Sequence, residues 1–128
     1  MPEAQPYEEQ EPSTFEAYFR EPSLAAQAPL AWALNQRLEL VEALRGLLGG
    51  AQPAARLRLW CFMELASQPQ ARLVRDDLHQ LFHVLRPEAL EMVLKRLRDC
   101  GLLVWDGTAQ DYHLSPLAQQ VHALLAPL

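Results

Sequence analysis

Apolar residues recur at helical spacing over most of the chain, and the pattern changes to strand-like alternation only near the C-terminus. After Pro29, Leu30, Leu34, Leu38, Val41, Leu44 and Leu48 fall three or four residues apart and stop at Gly49-Gly50. This spacing predicts one long helix over 29–48, with Pro29 in its first turn. Ala33, Leu40 and Leu47 broaden its apolar stripe, as in a helix that packs on two sides. A second helix is predicted from about Ala54 to Ser67, ended by Gln68-Pro69. Leu57, Leu59, Trp60, Cys61, Phe62, Met63 and Leu65 cover most of its circumference, so it belongs at the centre of a core.

A third helix is expected over Val74–Leu85 and a fourth over Glu88–Asp99, separated by the turn Arg86-Pro87. Their inward sets are Leu78, Leu81, Phe82 and Leu85, then Leu90, Val93, Leu94 and Leu97. Gly101 follows the last periodic residue, where a helix C-terminus favours a left-handed residue. Strands at Leu102–Trp105 and Asp111–Leu114 flank a turn around Asp106-Gly107-Thr108 and form a hairpin. Ser115-Pro116-Leu117 then caps and starts a final helix that runs to about Leu125.

This order, with Leu97-Arg98-Asp99-Cys100-Gly101-Leu102 and Tyr112-His113-Leu114-Ser115-Pro116 at its joints, resembles the winged helix-turn-helix of MarR-like regulators over residues 74–117. The resemblance implies a mainly α fold, with a two-stranded β-hairpin wing and an N-terminal accessory helix. The domain plan is then an acidic, Pro-rich and largely disordered tail over 1–28, the accessory helix over 29–50 and a winged-helix domain over 53–128. By analogy, the amino-terminal domains of bacterial condensin kleisin subunits use winged helices for dimerisation.

Charge alters what such a domain is expected to do. The segment 1–28 holds Glu3, Glu8, Glu9, Glu11, Glu16 and Glu21 against Arg20, and so accounts for the whole net charge of −5. The remainder is balanced, without the basic excess of a dedicated nucleic-acid binder. The resemblance places Glu88, Ala89, Glu91 and Met92 at the groove-facing positions of the recognition helix. Between Trp105 and Tyr112 the wing holds Asp106 and Asp111 and no base. Candidates for phosphate contacts are Arg75, Arg86, Lys95 and Arg96, with Arg72 and Arg98 beside them. Duplex DNA is therefore not favoured by charge.

The expectation is a non-catalytic module acting by protein contact, with itself as a homodimer or with another subunit, in a DNA-associated regulatory or chromosome-maintenance assembly. A direct DNA-binding regulator is the alternative. The contact residues are expected at Leu34, Leu38 and Val41 and at Trp105, which either meets a partner or covers the core edge. Phe15, Tyr18 and Phe19 complete the set on a short helix near 14–20, begun by a Ser13–Glu16 capping box and stopped by Pro22. That aromatic face either docks on the protein's own core or serves as a partner-binding peptide.

Other chemistry is thinly represented. His79 and His83 stand four apart, the spacing with which a helix offers two imidazoles to one metal, but no third ligand accompanies them. Asp76-Asp77 suits the first turn of a helix. No nucleophile–base pattern, Gly-rich phosphate loop, signal peptide or membrane-spanning stretch is present. The expectation is accordingly no enzyme activity, no cofactor, no metal, no small-molecule substrate, no membrane and a cytoplasmic location. Cys61 and Cys100 are expected as buried free thiols, with a disulfide between them as the alternative.

Overall fold

The structure is a computed structural model that describes residues 14–27, 30, 33 and 37–127. The chain divides into two compact units, residues 1–38 and 39–128. In the first, the expected helix near 14–20 is a single 3-10 turn, Glu16–Tyr18. Pro22 does not end structure there. It opens a second 3-10 helix, Pro22–Gln27, because its fixed φ suits a first helical turn. Phe15 and Phe19 meet edge to face with centroids 5.3 Å apart. Residues 1–13 of the expected tail, Ser13 of the capping box among them, lie outside the described residues.

The second unit is mainly helical with a small antiparallel sheet. Its order is α1 (Leu38–Leu48), α2 (Gln52–Ala66), β1 (Arg72–Leu73), α3 (Arg75–Leu81), α4 (Pro87–Asp99), β2 (Leu103–Asp106), β3 (Asp111–Leu114) and α5 (Pro116–Leu125). The single helix expected over 29–48 is interrupted rather than continuous: Leu30 and Ala33 are helical, Arg37 stands in a turn, and α1 begins at Leu38. Glu39 in the first turn of α1 and Arg45 in its last both complement the helix dipole.

The helix expected over 74–85 ends at Leu81 for a local reason. Pro87 is the first residue of α4 and holds Arg86 extended, at φ −63° and ψ 140°, so the chain must leave the helical conformation earlier. It does so in a turn closed by Leu85 N–H donating to the Phe82 carbonyl at 2.9 Å. At the start of α3, the Asp77 carboxylate accepts from the Val74 N–H at 3.2 Å, a cap that satisfies one of the otherwise unpaired first-turn donors.

The sheet has the order β1-β3-β2. Leu103 faces Leu114 and Trp105 faces Tyr112 across the hairpin, while Leu73 of β1 faces Tyr112 from the other side. Strand partners share a face, so this row looks into the core. There Phe62, Phe82, Leu78, Leu90, Leu94, Leu97, Leu102 and Val121 are fully buried, each contributing about 1.5–3 kcal/mol of transfer free energy. α2 lies at the centre as expected, with Cys61, Phe62 and Leu65 buried. β1 is a strand that the sequence pattern does not announce.

Candidate interaction surface

α4 carries the positions that the winged-helix resemblance singles out. Leu90, Val93, Leu94 and Leu97 are buried. The opposite stripe, at i, i+4, i+7 and i+11, is Glu88, Met92, Lys95 and Asp99, all exposed. Met92 is 72% exposed, the most open large apolar side chain between residues 39 and 127. The helix is fixed at both ends. Pro87 occupies its first position, and Gly101 at φ 81° closes it. Leu102 N–H donates to the Leu97 carbonyl at 2.9 Å and Gly101 N–H to Arg98 at 3.1 Å. This is a Schellman ending.

Most of the cations proposed for phosphate contact are already engaged. Arg75 donates to Glu91 at 3.2 Å and to the Tyr112 hydroxyl at 3.3 Å, tying α3 to α4 and β3. Lys95 pairs with Asp99 at 2.7 Å. Arg96 is half-buried and donates to the Gly46 carbonyl of α1 at 3.3 Å, facing the protein rather than solvent. Arg72 bridges Asp106 at 3.1 Å and Asp111 at 2.8 Å. Arg86 and Arg98 are exposed and make no ion pair among the described residues.

The hairpin is acidic for a structural reason. Asp106 and Asp111 stand directly opposite each other, an arrangement of like charges that opposes pairing. The Arg72 guanidinium reaches both from β1 and removes the conflict. Asp106 also accepts from the N–H groups of Ala109 and Thr108, at 3.1 Å and 3.0 Å. The Ala109 N–H, with Arg72 next, holds the Asp106 carboxyl below the usual carboxylate range. Trp105 packs its ring on buried Tyr112, with centroids 4.7 Å apart, and remains about one-third exposed. It covers a core edge and keeps a free face.

Among the other contact candidates, Leu38 is 53% exposed and Val41 is exposed on the same side of α1, with Leu48 two turns on. Phe15 and Tyr18 are about half exposed, and Phe19 is less so. Leu34 lies outside the described residues.

His79 and His83 do not share a helix. His79 on α3 lies 3.6 Å from Glu91. His83 sits in the following turn with Nδ1 3.1 Å from the Gln80 carbonyl. Among the described residues no group of three or more metal-ligating side chains is gathered. A hollow of about 350 Å³ beside β1 is lined by Leu65, Leu73, Leu103, Tyr112, His113 and Gln119, among others. It brings together no acid–base pair. Cys61 is buried and Cys100 half-buried, and both are free.

Two residues that position this surface were not singled out in the sequence. Arg58 lies in the apolar run of α2 and reads there as a surface charge, yet it is only 7% exposed. It donates through Nε to the Leu47 carbonyl at 3.0 Å and through Nη2 to that of Gly49, capping α1. Burial, and then the positive charge of Arg96, lower its pKa. Gly46 is the second. A Cβ there would meet the Cys100 Cβ at 2.6 Å, so only glycine lets α1 approach the end of α4. The signal for it is a glycine within a helical pattern.

Comparison of the chain with protein-family models, curated proteins and solved structures gives no match.

Proposed function

We propose that residues 53–128 form a winged helix-turn-helix module without catalytic function, which acts through protein contacts in a DNA-associated regulatory or chromosome-maintenance assembly. In this reading α3 and α4 are the helix-turn-helix, the β2–β3 hairpin is the wing, and β1 is the short strand that completes its sheet. The observation that carries the reading is the commitment of charge. Arg75, Arg96 and Arg72 are each held by a group of the same chain, while Glu88 and Met92 stand beside Lys95 on the outer face of α4. A surface built to follow phosphates needs its cations outward and uncommitted. The exposed stripe of Leu38, Val41 and Leu48 on α1 and the open face of Trp105 supply apolar contact area for another subunit.

A direct DNA-binding regulator is the second reading, supported by exposed Arg86 at the start of α4 and Arg98 near its end. Titration of the full chain with a mixed-sequence duplex at low salt separates the two. The protein-contact reading expects no salt-sensitive binding. Binding that weakens steeply with salt and on Arg86→Ala would favour the DNA reading instead. Replacement of Leu38 and Val41 together by Asp is expected to abolish capture of the cognate subunit without unfolding the chain.

A further inference from the structure

We propose that the outer face of α4 is a self-complementary surface that binds a second copy of this chain about a twofold axis at Met92. The proposal rests on the protein-contact reading and gives one of its surfaces a specific partner.

The outermost stripe of α4 reads Glu88, Met92, Lys95, Asp99, opposite the buried set of Leu90, Val93, Leu94 and Leu97. Such a stripe on a solvated helix is ordinarily polar throughout. Here its midpoint is a methionine with 72% of its surface open. Methionine is well suited to a contact that must adapt to its own image, being unbranched and polarisable.

The charges on either side of Met92 fix the orientation of the second copy. At a rise of about 1.5 Å per residue, Glu88 lies ~6 Å before Met92 and Lys95 ~4.5 Å after it. An antiparallel copy centred on Met92 therefore sets Glu88 beside the partner's Lys95, and Lys95 beside the partner's Glu88. The Glu88–Lys95 pair thus occurs twice, as a twofold interface requires. A parallel arrangement would oppose like charges at the same positions.

The neighbouring groups do not obstruct this pairing. Glu91, at the edge of the stripe, is held by Arg75 at 3.2 Å and does not compete for the partner's Lys95. The Lys95–Asp99 pair within the helix is exposed on both sides and can exchange partners at little cost. One helix face is a small contact, so the dimer is weak and reversible. It leaves the α1 stripe available to a different subunit.

Sedimentation equilibrium of the full chain over a wide concentration range tests this, with reciprocal charge reversal as the control. Wild-type protein is expected to dimerise reversibly. Glu88→Lys and Lys95→Glu are each expected to weaken self-association at least about tenfold by opposing like charges. An equimolar mixture of these two variants is expected to recover dimer, as is the double variant. Met92→Asp is expected to abolish it. Circular dichroism should report an unchanged fold throughout, because all three positions are exposed.

A monomer at every concentration would overturn the proposal. So would a dimer indifferent to Glu88→Lys and Met92→Asp. If that dimer were lost on Leu38→Asp, the contact would lie on α1, and the protein-contact reading would stand without this surface. If the wild-type chain were monomeric and bound duplex DNA, both would fall.

Discussion

Arg58 and Arg72 both join elements distant in the chain, but they do so by opposite physical means. Arg58 is buried and, among the described residues, meets no carboxylate. Its guanidinium ends α1 by donating to the carbonyls of Leu47 and Gly49. Arg72 is half exposed and binds two carboxylates that would otherwise repel across the hairpin. The first junction is a hydrogen-bonding solution to a helix end, shielded from salt and pH. The second is an ionic solution to a like-charge clash, open to solvent and subject to both. The same residue type thus gives one fixed end of the domain and one adjustable end.

The largest effect is expected at the fixed end. Arg58→Ala leaves the buried Leu47 carbonyl and the half-buried Gly49 carbonyl without their donor and opens a void, at about 2–4 kcal/mol. In thermal denaturation the loss should appear as roughly 10 °C or more for a domain of this size. Arg58→Lys should restore only part, since an ammonium lacks the forked geometry that reaches both carbonyls. A variant within a degree or two of wild type would show that Arg58 does not hold α1.

Gly46→Ala comes next. The added methyl is forced against Cys100, and overpacking of this kind costs about 1–3 kcal/mol. In an exposed helix the same change would stabilise, so the sign of the shift tests whether α1 and the end of α4 touch.

Arg72→Ala should have a smaller effect, and one that depends on conditions. The loss in melting temperature should shrink at high salt, whereas that of Arg58→Ala should persist. The Asp106 carboxyl is depressed in the folded state. Its contribution is therefore complete above the unfolded carboxylate pKa, near 4, and is lost as pH falls through the lower folded value. An acid titration of stability should find wild type and Arg72→Ala converging at the acid end. Equal differences at all pH and salt values would sharpen the comparison against an ionic role.

The smallest effect concerns the thiols. Burial pushes Cys61 up to about 12 and also raises half-buried Cys100. Both should react slowly with a thiol reagent at neutral pH, Cys100 ahead of Cys61, and the difference should vanish in denaturant.

Much of the domain could be read from sequence because local chemistry and tertiary position agree. Leu90, Val93, Leu94 and Leu97 with Gly101 define α4, and Ser115 accepts from the Ala118 N–H at 3.1 Å as an N-cap. Asp111–Leu114 is a strand as expected. What could not be read depends on partners remote in the chain. β1 is two residues long, too short for any period, and exists because β3 offers an edge. Arg58 carries no local sign that it will be buried. Pro22 and Arg37 show the limits of periodicity, which does not say where a helical run is divided. On the candidate surface, the residue types at Glu88, Met92 and Lys95 were legible. The engagement of Arg75 and Arg96 was not, because it requires knowing which elements pack together.

The order β1-β3-β2 has a consequence for how the domain assembles. The hairpin closes locally, but the Arg72–Asp111 contact spans 39 residues, with α3 and α4 between. Closing so long a loop is entropically costly until those helices are docked. β1 should therefore join last during folding and open first in the native state. Amide exchange at Leu73 faster than at the core of α4 would be its signature, and protection equal to that of α4 would contradict it. The strand that completes the sheet would then also be its release point, through which the hairpin gains mobility while the helical core stays folded.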